Sequence, residues 1–348
     1  MGQDVAGIDV QRVTAWLGEH VPGSVPPFSF TLIAGGRSNL TFRVTDASGQ
    51  DWALRRPPVS HVLPTAHDMV REHTVLTALA PAGIPVPRTI ALCTDEAVNE
   101  RPFYVMSFVE GHILRDATSA QTELSVAARG RVGLNLATTL AQLHAVDPDH
   151  VGLGDLARHD GYIERQLRRW RGQYEQMKVA GVEQGDLVEE VGAALAASIP
   201  PQQRVSVVHG DYRLDNTVLD DDGAVTAILD WEICTLGDPL ADIGLLCVYW
   251  AEPGDTQVAL VGQAPTTAPG FDTRDQVLKA YTAASGLDTS NVAYYMAFGY
   301  WKLACILQGV YARYLGGATA GDTGSVDTFP AHVVALASNA RDLIGSLS

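Results

Sequence analysis

Positive charge is scarce in this chain: 24 Lys and Arg face 40 Asp and Glu in 348 residues, a formal charge of −16. Such a surface repels polyphosphate backbones and anionic lipid, so nucleic acid and membranes are not expected partners and small molecules are. Cysteine is also sparse. Cys93, Cys234, Cys247 and Cys305 lie far apart with no C-x-x-C pair, which argues against a zinc site or a secreted disulfide framework and for reduced thiols in a cytoplasmic protein. No long run of strongly apolar residues occurs, and the first thirty residues carry Asp4, Asp9, Arg12 and Glu19 without an apolar core; neither a membrane span nor an export leader is expected. Internal repeats and low-complexity tracts are absent. So are G-x-x-x-x-G-K-[ST] and the dinucleotide fingerprint, which argues against P-loop and Rossmann chemistry.

What is present suits a globular protein of two domains: 46% hydrophobic residues and only 18% charged, enough apolar side chain to build real cores. Character changes near residue 110. Before it, Phe28 to Ile33, Leu40 to Thr45, Asp51 to Arg55, Thr89 to Cys93 and Phe103 to Val109 read as strands of an antiparallel meander. A helix over Ala66 to Leu79 interrupts them. Beyond Gly111 helical spacing dominates, over Leu124 to Leu143, Gly161 to Val179, Leu187 to Ser198, Arg274 to Ala284 and Asn291 to Leu315. Short strands are expected at Val205 to Val208, Thr217 to Leu219 and Val225 to Leu229, and a loop over Glu252 to Phe271. The expected architecture is α+β: a sheet-rich lobe over residues 1–109, a mostly helical lobe over 110–348, and a ligand cleft between them.

The most informative run is Val207-Val208-His209-Gly210-Asp211-Tyr212-Arg213-Leu214-Asp215-Asn216, followed by Ala227-Ile228-Leu229-Asp230-Trp231-Glu232. Two apolar strands deliver Asp211, Asn216 and Asp230 at their ends. Phosphoryl transfer from a nucleotide needs a carboxylate to orient or accept the proton of the attacking hydroxyl, and hard oxygen ligands to hold magnesium against the phosphates. These three side chains supply both. A lone H-G-D is more often a solvated loop carboxylate, so the weight rests on the whole constellation.

On these residues the chain resembles the aminoglycoside phosphotransferase and choline kinase group, which shares the protein-kinase fold. There H-G-D-x-x-x-x-N is the catalytic loop, and the aspartate of Leu229-Asp230-Trp231-Glu232 stands where protein kinases have D-F-G. The resemblance implies that Asp211 is the catalytic base, that Asn216 and Asp230 bind Mg2+, that ATP is the donor, and that Arg213 offsets charge on the transferred phosphate. Trp52-Ala53-Leu54-Arg55 falls at the V-A-I-K position and Glu72 at that of its helical partner, with arginine replacing lysine and Arg56 as a neighbouring competitor. Gly35-Gly36-Arg37-Ser38-Asn39 resembles a short G-x-S-N loop, which assigns Ser38 to phosphate oxygens. Pro102 to Gly111 looks like the last strand entering the hinge, where Ser107 and Val109 are positioned to hold adenine. Gly237-Asp238-Pro239-Leu240-Ala241-Asp242 matches an element that braces the catalytic loop.

Ile306 to Tyr314, with Leu229 to Glu232, is more similar to the kinase-like domains fused to some acyl-CoA dehydrogenases and to their free-standing bacterial relatives. That implies a hydroxylated acyl thioester or hydroxy acid as substrate. An aminoglycoside or amino sugar is the alternative suited to an acidic protein, and a nucleotide-binding pseudokinase is the alternative that Arg55 motivates. Arg165, Arg168 and Arg169 share one helical face, which suits either the phosphates of coenzyme A or an ordinary ion-paired surface. Tyr294, Tyr295, Phe298, Tyr300 and Trp301 read as core packing of a long helix, with the lining of an acyl pocket as the alternative for part of the group.

Overall fold

The computed structural model describes residues 5–33, 39–59, 68–178, 185–255, 264–316 and 328–346. Ser38, with Gly35, Gly36 and Arg37 of its loop, lies outside the described residues. The chain separates into two compact units, Met1–Gly111 with Thr226–Ile233, and His112–Val225 with Cys234–Ser348.

The first unit opens with α1 (Val10–His20), capped by the Asp9 side chain accepting from Arg12 N. Five antiparallel strands follow: β1 (Ser29–Leu32), β2 (Leu40–Thr45), β3 (Asp51–Arg56), β4 (Thr89–Cys93) and β5 (Phe103–Ser107), in the spatial order β1-β2-β3-β5-β4. Helix α2 (Met69–Leu79) lies between β3 and β4 in sequence, its N-terminus capped by Asp68. The expected meander holds for β1 to β3. After α2 the chain runs to the sheet edge and returns inside it, because β5 is apolar on both faces and buried throughout Phe103–Met106, whereas β4 is mostly half-buried.

Strand alternation gives each face of the sheet its own task. Trp52, Leu54, Phe103 and Val105 join Val13, Trp16 and Leu17 of α1 in one core, where Trp16 meets Phe103 edge-on at 5.0 Å. Ala53, Arg55, Tyr104 and Met106 point to the opposite face, and Arg55 pairs in register with Tyr104.

The second unit is helical, with α3 (Ala117–Glu123), α4 (Val126–Ala145), α5 (Tyr162–Gln176), α6 (Gly185–Ala197), α7 (Leu240–Tyr249), α8 (Arg274–Ser285), α9 (Val292–Leu315) and α10 (Phe329–Gly345). Short strands β6 (Ser206–Val208), β7 (Thr217–Leu219), β8 (Val225–Ile228) and β9 (Thr235–Gly237) complete the elements; β6 and β9 pair antiparallel. Helix α9 packs against α7 and α10, and α4 against α8. Helices α1, α3, α7 and α10 and strand β9 have no counterpart in the sequence expectation. Over Leu124 to Leu143, Ser125 caps a new helix through Ala128 N, so α4 starts at Val126 and α3 stands apart from it. Helix α7 gives no periodic signal, since Leu240–Val248 is buried on all sides and lacks amphipathic spacing.

Candidate active site

Each unit carries its own cluster of polar side chains. In the first, Arg55 from β3 donates Nε to Glu72 Oε2 at 2.8 Å and a second nitrogen to Asp230 Oδ1. Glu232 Oε2 lies 3.9 Å from the same guanidinium, and Thr41 Oγ1 accepts from Nη1 at 3.3 Å. Tyr104, across the ladder from Arg55, donates its hydroxyl to Glu72 Oε2 at 3.1 Å. Asn39 binds two carboxylates with one amide, donating Nδ2 to Glu72 Oε1 at 3.0 Å and to Glu232 Oε2 at 2.9 Å, while its own Oδ1 is buried and has no partner among the described residues.

One cation thus faces three carboxylates. Burial opposes the Arg55 charge, but Glu72 above all, with Tyr104, Asp230 and Glu232, raises its pKa beyond the ordinary value. Glu72 moves up as well: burial is the main cause and Asp230 adds to it, and the pull of Arg55 and the Tyr104 hydrogen bond do not cancel them. The two directions agree physically, because the cation is shared three ways whereas Glu72 has anionic neighbours. Arg56 is no competitor for this place. It points to the other side of the strand, where Nε donates to the Pro57 carbonyl at 2.9 Å and the guanidinium lies beside Gly7.

Asp230 has φ +63°, the one positive φ among described non-glycine residues. A left-handed backbone costs a residue with a Cβ about 1 kcal/mol or more and persists where its surroundings impose it. Here the turn is tied by Ile228 N to the Pro85 carbonyl at 2.7 Å and by Trp231 Nε1 to the Ile228 carbonyl at 3.0 Å. Ser107 ends β5, its N–H donating to Arg88 O at 2.8 Å and its Oγ accepting from Arg88 N at 2.9 Å. Val109 follows as half-buried chain. Neither residue joins the Arg55 network.

In the second unit the loop after β6 hangs on Asp242 of α7. His209 N and Gly210 N donate to its two oxygens at 2.7 and 2.8 Å, and Gly210 takes φ +85°, open to glycine without strain. Asp211 N donates to His209 Nδ1 at 3.2 Å. Asn216 returns through a turn of 3-10 helix over Leu214–Asn216 and donates Nδ2 to both the Asp211 carbonyl and Asp211 Oδ2 at 2.9 Å. Arg213 lies 3.4 Å from Asp211 Oδ2 and 3.3 Å from Asp215 Oδ2, with its guanidinium 4.8 Å from the Tyr249 ring.

Behind the loop, Tyr281 OH meets His144 Nδ1 at 2.7 Å and His144 Nε2 meets Asp242 Oδ2 at 3.3 Å. An ionised Asp242 only accepts, so Nε2 carries the proton and Nδ1 accepts from tyrosine. Burial alone would raise the Asp242 pKa; His144, followed by His209 and the Gly210 N–H, holds it below its ordinary value. Asp238 goes the other way, raised by burial although Tyr295 donates to it at 2.6 Å.

Sequence reasoning missed Asn39, Tyr104 and Glu232 as partners of the Arg55 group, and His144 behind Asp242. Tyr104 and Arg55 sit on like faces of two recognised strands, a signal that the pairing of β3 with β5 turns into a contact. His144 carries no local signal.

Asp211, Asn216 and Asp230 are hard oxygen donors. Because Asn216 spends its nitrogen on Asp211, its carbonyl oxygen is the end left for a cation. Among the described residues no group of three or more His, Cys, Asp or Glu is arranged to hold a metal. The donor chemistry of Asp211, Asn216 and Asp230 suits magnesium with a nucleotide.

A five-stranded antiparallel sheet joined in sequence to a helical unit, with an H-G-D-x-x-x-x-N loop and a following aspartate, defines a kinase-like phosphotransferase. Residues 29–277 match the phosphotransferase enzyme family (APH), well over half of the chain, and the chain belongs to that family. The α+β kinase-like fold and the enzyme class expected from sequence are borne out. Among curated relatives, acyl-CoA dehydrogenase family member 11 of Gallus gallus is 35% identical over 326 residues, covering 90% of this chain and 40% of that protein. Family member 10 of Mus musculus is 34% identical over 318 residues, covering 89% of this chain and 29% of that one. The chain thus spans less than half the length of either. A crystal structure from Ralstonia eutropha JMP134, provisionally assigned as an aminoglycoside phosphotransferase, is 31% identical, with a TM-score of 0.80 and coverage of 97% and 98% of the two chains. Among the described residues no helix is long and apolar enough to cross a membrane.

Proposed function

We propose that the chain is a magnesium- and ATP-dependent kinase that phosphorylates a hydroxyl on a small anionic molecule, a hydroxyacyl-CoA or the corresponding hydroxy acid. The observation that carries the reading is the clamp on Asp211. Asn216 and Arg213 both address Oδ2, which leaves Oδ1 to meet an acceptor hydroxyl. A base so fixed orients the hydroxyl oxygen toward the γ-phosphorus and takes its proton as the new P–O bond forms and ADP leaves. Magnesium, when bound, neutralises phosphate charge, and Asn216 and Asp230 are the residues that would hold it. Arg213 offsets charge on the transferring group. Ser38 is assigned to phosphate oxygens, and Ser107 and Val109 to adenine. Glu72 holds Arg55 beside the phosphates.

The anionic substrate is favoured by helix α5. Arg168 and Arg169 are exposed on it, and Arg165 donates to the Arg158 carbonyl at 2.8 Å. Among the described residues none of the three forms an ion pair; Glu175 pairs with Arg171 instead, at 3.1 Å. In a protein of charge −16 an unpaired basic face attracts an anion and repels a polycationic aminoglycoside. The relatives named for acyl-CoA dehydrogenases support the same substrate class.

Incubation with MgATP and a panel of hydroxyacyl-CoAs, free hydroxy acids and aminoglycosides tests this. ATP-dependent phosphorylation of an acyl substrate is expected; turnover confined to aminoglycosides overturns the substrate class. The second reading, a pseudokinase, rests on Arg55, whose nitrogens are taken up by Glu72 and Asp230. Nucleotide binding without transfer to any acceptor would favour it.

A further inference from the structure

A lysine inside the buried face of a helix needs a reason, since a desolvated ammonium is costly unless something answers its charge and its donors. Lys302 sits on α9 between Trp301 and a run of small and apolar residues and is 7% exposed. Its ammonium donates to the Gly210 carbonyl at 2.8 Å and lies 5.6 Å from the centroid of Trp170 on α5. Among the described residues it has no carboxylate within 4.0 Å. Burial lowers its pKa, Asp211 and Asp242 push it back up, and Arg169 adds to the lowering.

The hydrogen bond falls on one peptide. Gly210 immediately precedes Asp211, its N–H is held by Asp242, and Lys302 takes the carbonyl on its other side. A glycine at φ +85° offers no intrinsic resistance to rotation of the peptide that leads into Asp211. Helices α7 and α9 thus grip the residue before the carboxylate from two directions, one with an acceptor and one with a donor.

We propose that Lys302 is a positioning residue for phosphoryl transfer, fixing the Gly210–Asp211 peptide so that the Asp211 carboxylate stays aimed at the acceptor hydroxyl. This rests on the reading of Asp211 as the base. Mere filling of space by Lys302 predicts a different ranking of variants. Lys302→Met keeps the volume and loses the donor; Lys302→Arg keeps charge and donor but is bulkier. A packing role makes Met the milder change by every measure. A positioning role makes Met the milder change for thermal stability and Arg the milder change for kcat.

The experiment compares the wild type and both variants by Tm, steady-state kinetics and amide hydrogen exchange over residues 207–216. For Lys302→Met we expect kcat to fall by about tenfold or more with both KM values within about twofold, and loop amides to exchange about tenfold faster. Lys302→Arg should recover most of both. Unchanged loop exchange and kcat in a folded Lys302→Met overturn the proposal while the kinase reading stands. If the wild type transfers phosphate to no acceptor the kinase reading fails, and exchange still decides whether Lys302 fixes the loop. Should Lys302→Met not fold, Lys302→Gln, whose amide ends one atom short of the Gly210 carbonyl, is expected to show the same losses; wild-type exchange and kcat there overturn the proposal.

Discussion

Arg55 and Glu72 stand seventeen positions apart, one on a strand and one on a helix, and meet through Nε and Oε2 at 2.8 Å with both side chains nearly removed from solvent. Asp230 and Glu232 share the same guanidinium. Removing the cation therefore leaves buried negative charge unanswered.

From that follows the effect of Arg55→Ala. Breaking a buried pair from one side typically costs about 3–5 kcal/mol, and a loss near the lower end is expected by urea unfolding, because Asp230 and Glu232 keep partial access to water. Nucleotide KM should rise by about tenfold. A stability change within about 0.5 kcal/mol, the range of ordinary surface substitutions, would show the network to be incidental.

Asp211→Asn keeps the shape of the loop and removes the base. Turnover should drop by about a hundredfold or more, the usual worth of general base catalysis, with nucleotide affinity within about tenfold of wild type. Nucleotide titration and product formation on the same preparation separate the two effects. Full activity would remove Asp211 from its role.

Asn216→Ala deletes the two hydrogen bonds that hold Asp211 and the carbonyl oxygen assigned to the metal. The concentration of Mg2+ giving half-maximal rate is expected to rise by about tenfold, a loss of about 1.4 kcal/mol of binding. An unaltered magnesium dependence alongside a reduced kcat would assign Asn216 to holding Asp211 alone.

Asp242 has its pKa depressed in the folded chain. A depressed carboxyl contributes stability that is complete above its unfolded value, ordinarily 3.8, and is lost as pH falls through the lower folded value. Asp242→Asn should destabilise at neutral pH by about 2–3 kcal/mol, since one of its two backbone donors meets an amide nitrogen. Its stability should then fall less steeply than the wild type's on acidification. Parallel acid limbs in denaturant melts would contradict this.

Much of the fold is legible in the sequence because its signals are local. Runs of β-branched and aromatic residues between turn signals mark the five strands of the first unit, and 3.6 spacing marks α2, α5, α8 and α9. What stays hidden is uniform or distant. Helix α7 is apolar all round and has no face to show a period; the insertion of β5 between β3 and β4 depends on which strand tolerates an edge. At the site, fixed spacing exposes Asp211, Asn216 and Asp230, whereas Asn39, Glu232 and Lys302 enter through hydrogen bonds spanning 33 to 193 positions, which no short pattern encodes.

The eight residues of Thr226–Ile233 belong to the first compact unit although both flanking stretches belong to the second. A fragment severed after Gly111 would therefore lack Asp230 and Glu232, two of the three counter-charges of Arg55, and the closing strand-end turn that presents them. No single cut liberates either half intact, so splitting this enzyme for complementation, or swapping its amino-terminal part between relatives, calls for carrying the later octapeptide along.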